Sequence, residues 1–570
     1  MFRWCARWRT LAFAASLLIA GVACGRPASS GAAPVPASSA MARGAHGEQT
    51  VAQAAPAADI TIDFGNRADQ RYPIAAGMFG AGYSHGLVAQ PAILAAMQAA
   101  GFVNTRLDSD MPRVFASACA ATPCWDQIDH VFAALQGTGL HPILIIDYTP
   151  DWLQPSPNPC LARQLDPAHA FPTDPQQYAN LAAQYVHHLD TQFPGLVQDF
   201  EIWNEPNSLD FSCVADPVER LNTYLALYAA VAPAMKNQAA ADGASIQVGG
   251  PTLAGTLANE KVTEYQQYFL NGLLNDPRTA PYVDFVSYHD YIYGTMPNVT
   301  WDTSQPSLLQ MTQDGQHGVA AHYAAIAQIV RNGSQPNAAA TPIYITEYNT
   351  SAGGYENAQG QIISCCNNSA VYAPVWNALF VADLLIASYN GVRPPSKLVY
   401  FTSSYPIRVT PQGRVMGGAC LFGDLDAKMD CALDAGAAVA LYPQYYAYLL
   451  LGGTHYLDLA DGGYLATSTT TARPGLVVAA FATPAQDSIL IINPTGADAS
   501  GLQVLVANPG PVQQTGTRFL LNASHGQIDA QSVTLTPAGA GLLATLDVPA
   551  YSVVGLALPV ANATTGAAQQ

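Results

Sequence analysis

The chain has 570 residues, half of them apolar and only 11% charged, which excludes a disordered scaffold and favours a well-packed protein of more than one domain. Its formal net charge is −18, with no run of Lys or Arg after the N-terminus, so nucleic acid and anionic membrane surfaces are poor partners. A neutral substrate such as a sugar is compatible with this charge.

The first 24 residues have the pattern of an export signal. Three arginines precede an apolar core at 11–22, which is too short for a comfortable membrane span. The ending Ile-Ala-Gly-Val-Ala-Cys is similar to a bacterial lipoprotein cleavage site, so lipidation of Cys24 and ordinary cleavage nearby both stay open. Residues 25–57, rich in Ala, Pro, Ser and Gly, predict a disordered tether. We expect an exported protein that is periplasmic, anchored in the outer membrane as a lipoprotein, or extracellular.

Cysteine usage agrees with export, because disulfides form in oxidising compartments. The chain has ten cysteines, and without Cys5 and Cys24 eight remain. An even number with no CxxC or Cys/His cluster favours disulfides over a metal site. The adjacent Cys365 and Cys366 either bridge each other or pair elsewhere. The other expected pairs are Cys119–Cys124, Cys160–Cys213 and Cys420–Cys431.

A short apolar strand followed by an apolar-striped helix repeats eight times along the chain. Predicted strands lie at 74–82, 102–107, 142–148, 199–203, 245–250, 283–287, 342–346 and 397–402. Predicted helices lie at 90–101, 125–137, from 174 onward, 217–235, 260–274, 317–331, 372–388 and 435–451. The pattern predicts an α/β fold, a (β/α)8 TIM barrel at 73–453, with its chemistry at the C-terminal ends of the strands. An open doubly wound sheet is disfavoured, because no Gly-rich phosphate turn follows the first strand.

The pattern changes after residue 453, where strand-like runs are separated by Gly, Pro, Asn and Asp. This pattern predicts a β-sandwich at 454–560, followed by a disordered tail at 561–570. An alternating strand at 58–65 precedes the barrel, and the segment 58–72 is a candidate for joining this sandwich. The predicted sandwich strands are 475–481, 488–493, 502–506, 532–536 and 543–556.

Two glutamates stand at the ends of predicted barrel strands. Glu205 lies in Asp-Phe-Glu-Ile-Trp-Asn-Glu-Pro-Asn at 199–207, where Pro206 cannot donate to a sheet and ends the strand. Glu347 follows Ile-Tyr-Ile-Thr at 343–346, three barrel units later, so the two glutamates face each other across the barrel. Such a pair can cleave a glycosidic bond. A peptidase or esterase is disfavoured, because the chain has no His-Glu-x-x-His motif, and its Gly-x-Ser-x-Gly match at 82–86 ends before the next predicted helix at 90–101 and does not open it as a nucleophile elbow would.

Four motifs together resemble those of clan A retaining glycoside hydrolases. Besides the 199–207 stretch, they are Val-Gly-Gly-Pro at 248–251, Asp-Phe-Val-Ser-Tyr-His-Asp-Tyr at 284–291 and Tyr-Ile-Thr-Glu-Tyr-Asn at 344–349. The closest resemblance is to glycoside hydrolase family 39, the β-xylosidase and α-L-iduronidase family, over about 74–452. It implies that Glu205 is the general acid/base and Glu347 the nucleophile.

The resemblance also implies supporting roles for four other residues. Asn204 matches a residue that bonds the sugar 2-OH, a contact that strengthens in the transition state. Arg106 matches an arginine that holds the nucleophile ionised and oriented, with an unrelated ion pair as the alternative. His289 and Tyr291 are expected to contact the substrate or the nucleophile, and a purely structural role stays open for both.

One departure from the family pattern concerns the substrate. Family members tend to show Arg-Phe-His after the second strand, whereas this chain has Arg-Leu-Asp, which places Asp108 at the non-reducing side of the sugar. An acidic side chain there would change the preferred sugar. Trp152 could serve as an aromatic platform for a sugar face, with loop packing as the alternative.

Sequence and resemblance together predict an exported retaining glycosidase that acts on an oligo- or polysaccharide without a metal or organic cofactor. The first hypothesis is β-xylosidase-like exo action. An endo-glycosidase acting on a bacterial exopolysaccharide or plant polysaccharide is one alternative. A non-catalytic carbohydrate-binding barrel is an alternative of another class.

Overall fold

The computed structural model describes residues 58–67, 77–82, 89–119, 122–255, 260–293, 319–351, 355–356, 362–363, 378–379, 381–383, 395–401, 420–424, 438–459, 462–470, 473, 475–483, 485–509, 514–522 and 525–560. The predicted export signal, tether and C-terminal tail lie outside these residues. Most of the predicted helix at 372–388 does too, although 378–379 and 381–383 are helical.

Eight parallel strands close into a barrel, each hydrogen-bonded to the next in chain order and the last to the first. The strand His141–Ile146 shows why continuous apolar runs form these strands, which are buried on both faces. Leu144 and Ile146 pack outward against the helices, while Ile143 and Ile145 fill the inside of the barrel. The predicted α/β barrel is confirmed. Its strands are β2 (Phe79–Gly82), β3 (Asn104–Asp108), β4 (His141–Ile146), β5 (Asp199–Ile202), β6 (Gln247–Leu253), β7 (Phe285–Tyr293), β8 (Ile343–Ser351) and β11 (Lys397–Tyr400).

Helices follow the barrel strands, as the periodicity predicts. The helix after β4 begins as expected, since Asp174 accepts hydrogen bonds from the Gln176 and Gln177 amides and Pro175 occupies the first turn. The described helices are α1 (Pro91–Ala99), α2 (Met111–Val114), α3 (Asp126–Leu135), α4 (Pro175–Gln192), α5 (Pro217–Ala241), α6 (Glu260–Asn275), α7 (Val319–Asn332) and α8 (Pro443–Gly452). Short 3-10 turns lie at Ser117–Cys119, Asp151–Leu153, Leu161–Arg163, Pro167–His169 and Ala280–Tyr282.

The last barrel helix differs from the prediction of a helix over 435–451. Tyr442 is extended, and the helix begins at Pro443, because a proline suits the first turn but not a helix interior. The preceding residues instead form β13 (Val439–Leu441), which pairs with β12 (Phe422–Asp424). A second ribbon pairs β9 (Tyr355–Glu356) with β10 (Ile362–Ile363).

The C-terminal part is an antiparallel β-sandwich, as the sequence predicts. The predicted run 543–556 is two strands, because Pro549 cannot donate to a ladder and Tyr551 has a positive φ of 48°. The N-terminal strand β1 (Ile60–Arg67) pairs with two strands inside this sheet. The others are β14 (Tyr464–Thr470), β15 (Val477–Ala482), β16 (Gln486–Asn493), β17 (Ala499–Ala507), β18 (Thr515–Asn522), β19 (His525–Thr534), β20 (Thr536–Ala538), β21 (Gly541–Val548) and β22 (Ser552–Pro559).

One face of the sandwich packs on the barrel, which explains why strands such as β16 are apolar on both faces. Ile489 and Ile491 point into the sandwich core, whereas Leu490 and Ile492 belong to the core that includes α8. The Phe519 ring also meets Tyr456, in the turn that follows α8, edge-on at 5.1 Å. The individual boundaries, 73–453 for the barrel and 454–560 for the sandwich, stay predictions.

Two of the predicted disulfides are present, Cys119–Cys124 and Cys160–Cys213. Cys420 is also disulfide-bonded, but Cys431 lies outside the described residues, as do Cys365 and Cys366. In the part of the chain that the structure describes, no helix combines the length and apolarity that a membrane crossing requires.

Candidate active site

Glu205 is positioned by an unusual backbone path at the end of β5. The strand stops at Ile202, and Trp203 and Glu205 then adopt positive φ values of 69° and 45°, which bulky side chains rarely do. Such conformations cost roughly 1–3 kcal/mol each, so the surroundings must hold them. The Trp203 indole donates to the Phe211 carbonyl at 2.7 Å, and the Glu205 amide donates to the Thr252 carbonyl at 3.1 Å. The strained turn therefore aims Glu205 at the barrel mouth.

Glu347 reaches the same mouth because of a bulge in β8. Ile345 lies opposite Tyr288 of β7, but the next residue of β7, His289, lies opposite Glu347, so Thr346 is an extra residue in the ladder. The pairing of β8 with β11 shows the same one-residue shift. Without the bulge, Thr346 would face inward and Glu347 outward. Glu347 thus lies within a strand that runs on to Ser351, not at a strand tip as the sequence predicts.

Arg106 links three side chains at the bottom of the site. Its guanidinium is 1% exposed, and its Nε and Nη1 donate to the carboxylates of Glu201 and Glu347, both at 2.6 Å. Its Nη2 donates to Oδ1 of Asn204 at 3.0 Å. Burial acts to lower the pKa of Arg106, but the two carboxylates outweigh it and raise that pKa. Arg106 therefore remains charged and fixes the orientation of Glu347.

Tyr291 and His289 complete the contacts of the two glutamates. The Tyr291 hydroxyl donates to Oε2 of Glu347 at 2.5 Å. Nδ1 of His289 lies 2.7 Å from Oε1 of Glu205 and 3.4 Å from Oε2 of Glu347. Burial, and next Arg106, hold the pKa of His289 well below its usual range, so the imidazole is neutral. The structure thus brings together six of the eight predicted residues: Arg106, Asn204, Glu205, His289, Tyr291 and Glu347.

The two glutamates differ in their electrostatic surroundings. Burial raises the pKa of Glu205 well above its usual range, and the neighbouring Glu347 raises it further. Burial also raises the pKa of Glu347, but Arg106 and the Tyr291 hydroxyl act in the opposite direction. Glu205 is therefore the better proton carrier and Glu347 the group more readily ionised, which is the division of labour that a carboxylate pair needs.

Asp108 and Trp152, the other two predicted residues, lie further out. Asp108 ends β3 and is half-buried, and its charge acts on Arg106 and Asp147. Trp152 lies in a 3-10 turn beyond β4, where its indole donates to the Phe115 carbonyl at 2.8 Å. Its side chain is 46% exposed, so it is anchored at one edge and open to solvent. The roles of both residues stay predictions.

Glu201 and Asp147 lie at the site but are not among the residues that the sequence predicts for it. Glu201 is fully buried on β5 and forms an ion pair with Arg106. Its position in the sequence could have indicated this, because a carboxylate inside an apolar strand needs a cationic partner. Asp147 is 1% exposed just after β4, and neither carboxylate oxygen has a hydrogen-bond partner among the described residues. Burial and the nearby Asp108 raise the pKa of Asp147 well above its usual range. Burial therefore favours the protonated form of Asp147 near the barrel mouth.

The spacing of Glu205, His289 and Glu347 determines the chemistry that they can perform. Each residue has one potential ligand atom within 4.8 Å of those of the other two. Among the described residues, this is the one cluster of three or more His, Cys, Asp or Glu side chains spaced closely enough to hold a metal ion. The positive charge of Arg106, 2.6 Å from Glu347, opposes a cation there. Two facing carboxylates at the C-terminal end of a parallel barrel instead match the architecture of a retaining glycoside hydrolase.

Comparison with known proteins points to the same class. Residues 117–376 match the family model of the glycosyl hydrolases family 39, a range that includes both glutamates but not Arg106. A β-xylosidase from Geobacillus stearothermophilus is 31% identical over 153 residues, which are 27% of this chain and 26% of that protein. This chain therefore spans about a quarter of the length of that curated relative.

Solved structures show the same fold at low identity. A monomeric β-xylosidase from Caulobacter crescentus superimposes with a TM-score of 0.58 at 16% identity, covering 88% of this chain and 99% of that one. A GH39 enzyme from Xanthomonas axonopodis pv. citri gives 0.56 at 17%, covering 88% and 97%. A GH30 endoxylanase from Clostridium papyrosolvens gives 0.53 at 14%, covering 88% and 100%. The family 39 resemblance of the motifs is confirmed, and the barrel with its sandwich is the fold of these enzymes.

Proposed function

We propose that the protein is an exported glycoside hydrolase that cleaves β-glycosidic bonds by double displacement with retention of configuration. The observation that carries this proposal is the approach of Glu205 and Glu347, whose carboxylate oxygens come within 4.8 Å. Retaining enzymes have carboxyl groups about 5–5.5 Å apart, whereas inverting enzymes leave about 6.5–9.5 Å for a water molecule. The short spacing of the two groups therefore favours the retaining mechanism over the inverting one.

In the first step, an oxygen of the ionised Glu347 attacks the anomeric carbon and the glycosidic C–O bond breaks. Arg106 and Tyr291 each engage one oxygen of Glu347, so the carboxylate is held in place with lone pairs to spare. Glu205 gives its proton to the departing oxygen. In the second step, Glu205 takes a proton from water, which attacks the same carbon and releases Glu347.

His289 supports the proton transfer in this mechanism. Its Nε2 is buried without a hydrogen-bond partner among the described residues, and an orphaned acceptor is less costly than an orphaned N–H. The neutral ring therefore carries its proton on Nδ1 and donates it to Oε1 of Glu205. That leaves Oε2 of Glu205 to carry the transferable proton. Asn204, held by Arg106, is placed to bond the sugar 2-OH.

The substrate that we propose is a β-xyloside or a related plant sugar, attacked from its non-reducing end. The names of the Geobacillus and Caulobacter relatives support this choice, since both are β-xylosidases. Asp108 stands where the family tends to have histidine, so the preferred glycone is expected to differ from xylose in part. Export is supported by the two disulfides, which form in oxidising compartments.

A fluorinated β-xyloside tests the mechanism, because it forms the glycosyl-enzyme but slows its hydrolysis. We expect mass spectrometry to place the label on Glu347, and Glu347→Gln to lose both labelling and turnover. Glu205→Gln is the matched control, which keeps Glu347 and should still be labelled by a glycoside with a good leaving group. A label elsewhere together with full activity of Glu347→Gln would overturn the assignment.

A panel of aryl glycosides and polysaccharides, followed by NMR of the products, tests the substrate. Retention appears as the β-anomer of the released sugar before mutarotation. Monosaccharide release from chain ends indicates exo action, and mixed oligosaccharides indicate endo action. Glycan binding without any hydrolysis would support a non-catalytic barrel instead.

A further inference from the structure

Arg518 of the sandwich is a buried cation without an anion. Its side chain lies on β18 and is 9% exposed. Nη1 donates to Oε1 of Gln531 at 3.2 Å and Nη2 to the carbonyl of Asp547 at 2.8 Å, both of them uncharged acceptors. Its Nε has no hydrogen-bond partner, and among the described residues no carboxylate forms an ion pair with it. Buried charges are normally paired, so an anion is the expected missing partner.

Arg518 lies at a cavity of about 340 Å³, on the seam where the two ends of the ten-stranded sheet meet. On one side of the seam is β19, which pairs with β18, and on the other is β21 with its short neighbour β20. The hydrogen bond from Arg518 to the Asp547 carbonyl crosses from β18 to β21. The cavity is at the small end of the range for ligand pockets, roughly 300–1,000 Å³, and suits a single sugar ring.

The lining of this cavity is suited to a polar, hydroxylated ligand. Besides Arg518 it includes the exposed side chains of Gln531, Ser532, Thr534 and Thr545, with no aromatic ring. Hydroxyl and amide groups can both donate to and accept from sugar hydroxyls. Without an aromatic platform, the cavity cannot hold a sugar by stacking, so a ligand must be held by hydrogen bonds and by the charge of Arg518.

Two carboxylates lie near Arg518, that of Asp547 in the cavity lining and that of Asp529, and each accepts a hydrogen bond from another group. Oδ1 of Asp547 accepts the Gly501 amide at 2.8 Å, and Oδ2 of Asp529 accepts from Nε2 of Gln531 at 3.0 Å. Gln531 thus separates Asp529 from Arg518. The guanidinium has five N–H donors in a planar fork, of which two are used here, so donors remain for a carboxylate.

We propose that this cavity binds the carboxylate of a uronic acid unit, so that the sandwich holds the enzyme on an acidic polysaccharide. Arg518 pairs with the carboxylate, and the surrounding hydroxyl and amide groups bond the ring hydroxyls. The net charge of −18 repels anions from the surface in general. A buried cation such as Arg518 therefore attracts a carboxylate only where that carboxylate fits into the cavity. The inference goes beyond the proposed hydrolysis and does not depend on it.

Calorimetric titration of the full-length protein with sodium glucuronate, and with glucose as the neutral control, tests the site. We expect saturable glucuronate binding and no comparable glucose binding. Gln531→Glu places a carboxylate on Arg518 and should weaken glucuronate binding about tenfold or more, the scale of a lost charge-assisted contact. Gln176→Glu adds the same charge on the barrel surface and should leave binding unchanged.

A second variant covers the case in which Gln531→Glu disturbs the fold. Arg518→Lys keeps the charge but loses the planar fork, and should bind more weakly than wild type while retaining the wild-type circular dichroism spectrum. Equal affinity for glucuronate and glucose, or wild-type affinity in both variants, would overturn the proposal. So would equally tight, competing binding of a hexaglutamate peptide, which would identify a protein partner. Hydrolysis of an aryl β-xyloside should be unaffected by Gln531→Glu, so a failed site and a failed enzyme activity give different results.

Discussion

Arg106→Lys is the substitution that most directly tests how the site controls its nucleophile. Arg106 holds Glu201, Glu347 and Asn204 with three different nitrogens, at 2.6, 2.6 and 3.0 Å. Lysine keeps the charge but has one nitrogen, so it cannot reproduce the fork. If that nitrogen stays with Glu201, Glu347 loses a hydrogen bond worth about 1.5–3 kcal/mol. At 1.36 kcal/mol per factor of ten, kcat/KM should fall roughly 10- to 100-fold.

The pH dependence gives the more specific result. Arg106 acts to lower the pKa of Glu347, so weakening that contact should raise this pKa. Glu347 must be ionised to attack, and activity therefore appears only as the pH rises through its pKa. The acidic limb of the profile of kcat/KM against pH should move to higher pH in Arg106→Lys, and the basic limb should move less.

Lys397→Met is the matched control for this experiment. Lys397 pairs with Asp199 at 2.7 Å, and both residues lie at the N-terminal starts of their barrel strands, at the opposite end from the catalytic mouth. Loss of this partly buried pair should destabilise the protein by about 1–3 kcal/mol without moving the pH profile. If Arg106→Lys shows the wild-type pH profile after its activity is corrected for the fraction of folded protein, the inference that Arg106 lowers the pKa of Glu347 is wrong.

Three further predictions concern Glu205, Trp152 and Asp108. Glu205→Gln should retain most of kcat/KM on substrates with good leaving groups but lose the basic limb of the pH profile, and its kcat should fall because the second step loses its general base. The pKa of Glu205 is raised in the folded protein, so its contribution to stability is present below its unfolded pKa of about 4.3 and lost as the pH rises through the folded value. The Tm of Glu205→Gln should therefore exceed that of wild type at neutral pH, and an equal or lower Tm would contradict this. Trp152→Ala should raise KM for oligosaccharides roughly fivefold, the scale of one aromatic contact, with kcat on an aryl monoglycoside unchanged; equal effects on both substrates would exclude a platform. Asp108→Asn should change the ratio of kcat/KM between an aryl xyloside and an aryl glucoside about tenfold, and an unchanged ratio would remove Asp108 from the glycone site.

The parts of the site that sequence could predict are those set by local chemistry. Pro206 and the apolar run before it indicate a strand end with Glu205 just beyond it. The spacing from Glu205 to Glu347, three strand–helix units, predicts that the two residues face each other across an eight-stranded barrel. Arg106 was found through its place at the end of a strand and through the family resemblance.

Other parts depend on contacts between segments far apart in the chain. The ion pair of Glu201 with Arg106 spans 95 residues, and the hydrogen bond of Tyr291 to Glu347 spans 56. The Asp147 carboxylate has no hydrogen-bond partner among the described residues, which depends on the groups that surround it, and sequence spacing does not encode that. Likewise, the bare periodicity of 58–65 predicts a strand but not its two partners within the sandwich.

The sequence by itself determined the order of strands and helices, the α/β barrel, the sandwich and the pair of glutamates, because each follows from periodicity, proline position or motif. Tertiary structure decided which way Glu347 points. The alternation of a regular strand would put Thr346 in the barrel and Glu347 outside, and the bulge in β8, seen against both β7 and β11, turns Glu347 inward. A bulge is a property of the pairing between strands, so no single strand sequence shows it. The same applies to Arg518, whose missing partner is evident only once the two ends of the sheet meet.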